Sequence, residues 1–348
     1  MKKYRSILIN IAISVGAIGF LGWKAAQEPQ FWELVQGQKD WSRLGLAAGL
    51  VLAAVTLTIL RWRLLVQTLE LPLSLSGALR IGFISYLFNL LPLGLVGGDG
   101  LKAYFISQLH PENKTKAVAT VLLDRVIGLA ALLMFAAVAT LLFDRSGMTG
   151  DDRLRIDRIC LAIQIAGSCS ALGLAMFFVP GFTTHPFWDR FTTQPNSRGT
   201  FIDQILTKLI EAMRLYRQRG DRVFIAVLMS LVVHTLYVCM LFLVGSALLR
   251  NGLPTPSPTF GSHFVIGPLA MTAGALPLGG IELILDLLYR AAIPSAELAG
   301  AVVNKGFLMA LVYRLIQILV GIIGAVYYLV SRNEIQQMMQ EAKQAGAA

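Results

Sequence analysis

The sequence predicts an all-α polytopic integral membrane protein with about six full spans and two broken re-entrant hairpins. Of its 348 residues, 55% are hydrophobic and only 14% are charged, which leaves too little polar surface for a soluble globule of this size. Six apolar runs are long enough to cross a bilayer as helices. Two further apolar runs are interrupted by proline and glycine.

The six full spans are predicted from runs of about 17 to 25 apolar residues. The first run follows a short basic start and lacks a small-residue cleavage site, so we expect an uncleaved span and not a signal peptide. The runs lie near residues 6–23, 44–60, 118–143, 159–180, 223–249 and 307–331.

The two broken runs predict half-crossing hairpins over residues 81–109 and 263–290. A helix from Ile81 to Val96 would reach only about 24 Å, less than the hydrocarbon core of a bilayer. Proline and glycine also interrupt a helix. The interrupting residues are Pro92, Gly97, Gly98 and Gly100 in the first run and Pro277, Gly279 and Gly280 in the second.

The net charge of +10 is spread between the apolar runs, so we expect contact with anionic lipid and no nucleic-acid partner. Two hairpins with a cytoplasmic N-terminus place most lysines and arginines inside, whereas single crossings divide them almost evenly. The favoured topology has both termini in the cytoplasm and hairpins entering from opposite faces.

A basic amphipathic helix over about 200–220 suits either the inner-leaflet interface or packing against other loops.

We expect one domain over residues 1–348, with an inverted repeat whose halves span about 1–180 and 222–331. Weak internal similarity supports the repeat, since LLPLGLVGGDGLKAYFI in the first half resembles ALPLGGIELILDLLY in the second. Arg125 and Arg314 then occupy corresponding spans. Inverted repeats with broken helices are typical of transport proteins that bind substrate at the bilayer midplane.

The first half places charged residues at and just after the hairpin. Asp99 follows two glycines, Lys102 comes three residues later, and Asp124 and Arg125 lie near the start of the next span. A charge near the bilayer centre costs about 2.5 to 3.5 kcal/mol, so these groups should be paired or line a wet cavity. We favour a substrate-binding role for Asp99 and Lys102, whereas Asp124 and Arg125 fit a structural salt-bridge network equally well.

The second half offers Glu282 and Asp286, which lie four residues apart on one helical face, and Tyr313 and Arg314 in the last span. An arginine can hold a phosphodiester with two parallel hydrogen bonds, which a lysine does less well. The structural alternative pairs Arg314 with Glu282 or Asp286. If Arg125 and Arg314 clamp a phosphate, they should matter more for transport than for folding.

Signatures of catalysis and of cofactor binding are missing from the sequence. We find no HExxH, GxSxG, P-loop or GxGxxG pattern, and the three cysteines and four histidines have no metal-ligand spacing. The expectation is therefore a protein that is not an enzyme and has neither metal nor cofactor.

Four segments resemble a known family: GGDGLKAY at the first hairpin, LLDRVIGL in the next span, PLGGIE at the second hairpin, and YRL in the last span. Together they resemble the transmembrane, flippase-like domain of lysylphosphatidylglycerol synthetases, over about residues 5 to 331. In the fused members this domain moves an aminoacylated phospholipid to the outer leaflet. The resemblance implies a stand-alone member without the soluble synthetase domain.

The leading hypothesis is therefore translocation of a phospholipid or lipid-linked sugar across the inner membrane, through a polar midplane cavity. Two alternatives stay open: an integral-membrane transferase that modifies a lipid headgroup, and a membrane adaptor for a glycosyltransferase. The expected partners are a membrane lipid and a separate lipid-modifying enzyme.

Overall fold

The computed structural model describes most of the chain as helices. It describes residues 35–90, 97–141, 150–179, 219–250, 253–254, 258–272, 280–292 and 305–331, and the single positions 23, 26, 27, 32, 214 and 216. The helices are α1 (Trp41–Thr68), α2 (Leu75–Asn89), α3 (Gly98–Leu109), α4 (Lys114–Leu141), α5 (Gly150–Phe178), α6 (Gly220–Ala247), α7 (Phe260–Thr272), α8 (Gly280–Ala291) and α9 (Lys305–Val330). The all-α membrane class predicted from the sequence is confirmed.

Among the described helices, α1, α4, α6 and α9 are long and apolar enough to cross a membrane. They match four of the six predicted spans. The predicted span near 159–180 lies in α5, whose first turns are charged and whose apolar part runs from Cys160 to Met176. The first predicted span, near 6–23, lies almost wholly outside the described residues.

Each predicted hairpin corresponds to two helices that pack on each other, α2 with α3 and α7 with α8. The first begins earlier than its apolar run suggested, because the Ser74 side chain accepts a hydrogen bond of 3.0 Å from the Gly77 amide and caps α2. Residues 91–96 and 273–279, over which the sequence predicts the breaks, lie outside the described residues. Pro92, Pro277 and Gly279 fall in these gaps.

The start of α1 is set by Asp40, whose carboxylate accepts hydrogen bonds from the Ser42 hydroxyl at 2.5 Å and the Arg43 amide at 3.2 Å. The Ser42 hydrogen bond is the main reason that the pKa of the Asp40 carboxyl lies below its usual value. Arg43 also donates to the Ser246 carbonyl at 2.8 Å. These contacts join the start of α1 to the end of α6.

A short strand pair, which the sequence analysis did not predict, follows α6. Strand β1 (Leu249–Arg250) pairs antiparallel with β2 (Leu253–Pro254).

Of the predicted helix at 200–220, only positions 214, 216, 219 and 220 are described. Tyr216 is buried, its hydroxyl donates to the Leu65 carbonyl of α1 at 2.7 Å, and burial raises the pKa of its phenol.

The chain divides into two compact units. The first comprises residues 1–54, 127–176 and 227–317, and the second comprises residues 55–126, 177–226 and 318–348. The second unit contains α2 and α3, and the first unit contains α7 and α8. Each unit therefore holds one of the two hairpins together with part of the long helix that follows it.

Candidate functional site

A buried ion pair lies at the centre of the charged residues of the second unit. Asp124 of α4 is almost fully buried, and the Arg61 Nε lies 2.8 Å from its Oδ1. A second donor of the Arg61 guanidinium contacts the main-chain oxygen of Asp124 at 3.1 Å. Two hydrogen bonds from one planar guanidinium fix the turn of α4 that carries Asp124 and its neighbour Arg125.

Lys102 of α3 completes the buried part of this cluster. Its Nζ lies 3.9 Å from the Asp124 Oδ2, beyond hydrogen-bond distance, and 4.7 Å from the centre of the Trp62 ring. The Asp124 Oδ2 accepts no hydrogen bond from the described residues. The Trp62 indole donates to the Thr120 hydroxyl at 3.2 Å, one turn before Asp124. The consecutive residues Arg61 and Trp62 thus hold both α3 and α4 to α1.

The exposed part of the cluster is the ion pair between Asp99 and Arg125. The Arg125 side chain is 49% exposed and that of Asp99 is 31% exposed, whereas Arg61, Lys102 and Asp124 are all buried. We call these five residues the first charge cluster. It presents one carboxylate and one guanidinium to the surroundings and keeps the other three charges beneath.

Close packing of two helix backbones positions Asp99. A Cβ at Gly98 would overlap the Ser85 carbonyl of α2, so only glycine allows α3 to begin against α2 at this point. Asp99 then lies in the first turn of α3, where the helix dipole stabilises a carboxylate.

The first unit holds a second buried carboxylate. Glu282 of α8 is fully buried, and the Arg314 Nε of α9 lies 2.8 Å from its Oε1. Arg314 also donates to the Gln317 side-chain oxygen at 3.3 Å, and Gln317 donates to the Tyr313 hydroxyl at 2.7 Å. The Arg314 side chain remains 23% exposed. We call Glu282, Tyr313, Arg314 and Gln317 the second charge cluster.

The buried face of α8 carries two more polar contacts. Asp286 accepts a hydrogen bond of 3.2 Å from the Phe307 amide at the start of α9. Tyr289 lies 3.1 Å from the Nε2 of His263 on α7, whose Nδ1 lies 2.8 Å from the Thr259 carbonyl. Because a carbonyl only accepts, Nδ1 carries the proton in the neutral ring, and Tyr289 donates to Nε2. Polar contacts therefore join α8 to both α7 and α9.

The two clusters share one arrangement. In each, a helix of 12 residues has an acidic residue in its first turn, Asp99 in α3 and Glu282 in α8. That carboxylate pairs with an arginine in the first half of the next long helix, Arg125 in α4 and Arg314 in α9. The pairs differ in burial, since Glu282 is fully buried and Asp99 is partly exposed.

All eight side chains predicted as substrate-binding fall within the described residues, and none of them is isolated. Asp99, Lys102, Asp124 and Arg125 come together, as do Glu282, Tyr313 and Arg314, while Asp286 contacts the α9 backbone. Of the predicted hairpin residues, Gly97, Gly98, Gly100 and Gly280 are described, and Gly98 makes the close contact with α2.

Sequence reasoning did not identify Arg61 as part of the site. The apolar run ends at residue 60, but α1 continues to Thr68, so Arg61 lies inside the helix and is buried against Asp124. The sequence did contain a signal for this contact. Asp124 lies in an apolar run and needs a cation as its partner, and Arg61 directly follows another apolar run. Gln317 and His263 gave no comparable signal.

Comparison with known proteins identifies one family. A family model described as the lysylphosphatidylglycerol synthase TM region matches residues 7–325. A search of curated proteins finds no match.

Proposed function

Because the chain belongs to the lysylphosphatidylglycerol synthase transmembrane-region family, we propose that it moves a phospholipid or a lipid-linked headgroup from one leaflet to the other. The family gives the chain a membrane lipid-related role. We propose in addition that the chain translocates the lipid, that this lipid is a phospholipid or a lipid-linked headgroup, and that no covalent step is involved.

The observation that carries this proposal is the partly exposed ion pair of Asp99 and Arg125. An exposed ion pair contributes only about 0 to 1 kcal/mol to stability, so stability alone gives little reason to keep two charges among apolar helices. Such charges in a membrane domain are functional by default. A lipid headgroup offers what the pair can bind, a phosphate for Arg125 and a cationic or hydroxyl group for Asp99.

The second charge cluster offers a further, less accessible arginine in its own unit. Glu282 holds the Arg314 guanidinium by Nε, which leaves the side chain 23% exposed. We assign Arg314 and Tyr313 to headgroup contact at another stage of transport. Glu282 and Asp286 then keep α8 and α9 in place.

The proposal includes the setting of the protein. We place it in the inner membrane with both termini in the cytoplasm, because that topology puts most basic residues inside. Its substrate is a phospholipid or lipid-linked sugar supplied by a separate lipid-modifying enzyme.

Reconstitution of the full chain in vesicles tests the proposal. A fluorescent phosphatidylglycerol is placed in both leaflets, and an impermeant reductant destroys only the label in the outer leaflet. We expect the protected inner pool to be lost in vesicles that contain the protein. Arg125→Gln should slow this loss at least about tenfold, the amount expected for one charge-assisted hydrogen bond. Lys116→Gln, which removes an exposed charge of α4 outside the cluster, should not.

Two outcomes would favour the rival functions. Equal rates with and without protein would reject translocation of this lipid. A covalently altered lipid in the mass spectrum of the same vesicles would instead indicate a headgroup transferase. An adaptor role would be supported if Arg125→Gln left lipid distribution in cells unchanged while a glycosyltransferase co-purified with the protein.

A further inference from the structure

The first charge cluster has one more cation than it has carboxylates. Its cations are Arg61, Lys102 and Arg125, and its carboxylates are Asp99 and Asp124, so three positive charges face two negative ones. Arg61 with Asp124 and Arg125 with Asp99 are in direct contact. Lys102 is the cation without a carboxylate of its own, held 3.9 Å from one that Arg61 already binds.

Lys102 is placed so that it can replace Arg125 as the ion-pair partner of Asp99. The two residues lie three apart on α3, and side chains at this spacing are neighbours on a helix surface. The present contact of Lys102 with Asp124 lacks a hydrogen bond, and Asp124 keeps Arg61 as its hydrogen-bonded partner when the ammonium moves away. The exposed pair of Asp99 and Arg125 is also easily opened, since water screens it.

We propose that the first charge cluster binds a phosphodiester carrying a single negative charge, by an exchange of ion-pair partners. The phosphodiester replaces Asp99 on Arg125, and Asp99 moves to Lys102, which contacts one carboxylate oxygen and leaves the other to a donor group of the headgroup. Each cation then has one anion: Arg61 holds Asp124, Lys102 holds Asp99, and Arg125 holds the phosphate. Lys102 acts as a positioning residue, because it holds Asp99 away from the phosphate and does not itself touch the lipid.

The exchange of ion-pair partners favours one class of lipid as substrate. This inference rests on the proposed function. A phosphodiester headgroup brings one negative charge and makes the cluster neutral. A phosphomonoester, with a second pKa near 6, brings close to two charges at neutral pH, and a lipid diphosphate brings at least two. The surplus negative charge would have no cation of its own in the cluster and would repel the nearby Asp99 carboxylate. The site therefore favours phosphodiester lipids over both other classes.

Binding to the full chain in detergent at pH 7.5 tests the selectivity. The probes are dihexanoyl phosphatidylglycerol, dihexanoyl phosphatidic acid, and glycerophosphoglycerol, which is the phosphodiester without acyl chains. We expect the phosphatidylglycerol to bind at least about tenfold more tightly than the phosphatidic acid. It should also bind more tightly than the deacylated compound if the ligand is a lipid. Equal or tighter binding of phosphatidic acid would overturn the charge argument, and equal binding of glycerophosphoglycerol would overturn the assignment to a lipid.

Variants of Lys102 test the exchange. Lys102→Gln leaves two cations for two carboxylates, so binding of dihexanoyl phosphatidylglycerol should weaken about tenfold. Lys102→Arg should restore most of it because it keeps the charge. Lys116→Gln serves as the matched control for loss of one positive charge. Unchanged affinity in Lys102→Gln, or the same loss in Lys102→Arg, would overturn the role of this charge.

Trp62 reports the movement directly, because the Lys102 ammonium lies over its ring. In a variant that keeps Trp62 as its sole tryptophan, phosphatidylglycerol should change the emission, and Lys102→Gln should abolish that change. Binding without any change in Trp62 emission would overturn the exchange.

If these binding tests fail while lipid transport persists, the inference falls and the proposed function stands. If they succeed without transport, the proposed function falls and the binding site stands.

Discussion

At the scale of single residues, the two arginines that correspond in the two halves have different surroundings. Arg125 is about half exposed and pairs with a partly exposed carboxylate, whereas Arg314 pairs with a fully buried one. Removing one partner of a buried ion pair leaves an uncompensated charge and costs about 3 to 5 kcal/mol, while an exposed pair contributes about 0 to 1 kcal/mol. The proposed function therefore assigns Arg125 a mainly functional role, whereas the burial of Glu282 gives Arg314 a partly structural one.

Replacement of Arg314 separates these roles. Arg314→Ala leaves Glu282 buried without its cation, so we expect the free energy of unfolding in mixed micelles to fall by about 3 to 5 kcal/mol. Arg314→Lys should recover part of the stability but slow lipid transport, because lysine lacks the planar guanidinium. Arg125→Ala is the matched variant and should change stability by no more than about 1 kcal/mol. A stable Arg314→Ala protein with wild-type transport would remove Arg314 from both roles.

Tyr289 allows a test of the buried contact between α7 and α8. Tyr289→Phe removes the donor to the His263 Nε2 and leaves that nitrogen buried without a hydrogen bond, which should cost about 1 to 3 kcal/mol of unfolding free energy. Tyr328→Phe is the control, since its hydroxyl forms no hydrogen bond with the described residues. Equal stability of the two variants would show that the His263 contact contributes nothing.

At the scale of the elements, two pairs of consecutive helices, α2 with α3 and α8 with α9, pack closely because glycine removes a side chain at the contact. Gly98 lets α3 begin against the Ser85 carbonyl of α2, and Gly306 lets α9 begin against the α8 backbone at Leu285 and Asp286. Membrane helices gain little from hydrophobic burial against one another, so close backbone packing and polar contacts hold them together. The carboxylates at the start of α3 and in α8 therefore depend on these glycines for their position.

A pair of glycine variants tests this packing. Gly98→Ala places a Cβ against backbone atoms of α2 that cannot move aside, so we expect a loss of about 1 to 3 kcal/mol in unfolding free energy and slower transport. Gly173→Ala adds the same methyl group to α5, where nothing lies within 4 Å, and should be neutral or stabilise by up to about 1 kcal/mol. Similar behaviour of the two proteins would contradict the close contact at Gly98.

At the scale of the whole molecule, the hairpin topology makes a prediction that thiol labelling can check. With the three native cysteines replaced by serine, a cysteine introduced between residues 181 and 221 should be protected from an impermeant reagent in intact cells. Ser257→Cys should react, because the topology places it outside. Labelling at the first site and protection at the second would show that each broken run crosses the membrane once.

Local properties of the sequence determined the class of the protein and the approximate limits of its long helices. Hydrophobicity and run length identify spans, because a bilayer requires about 20 apolar residues in a row. Proline and glycine, which interrupt a helix, predicted the two hairpins for an equally local reason. The acidic residues of both clusters also stood out, since charges within apolar runs are costly wherever the chain places them.

Only the tertiary structure decided which charges meet. Arg61 and Asp124 are 63 residues apart, and Arg314 reaches Glu282 rather than Asp286, although both carboxylates lie on one face of α8. Periodicity places a side chain on a face of its own helix, but it does not say which residue of another helix lies within 3 Å. That distance is set by how the backbones pack. The packing places Lys102 beside a carboxylate that Arg61 already binds, and the sequence by itself did not reveal this arrangement.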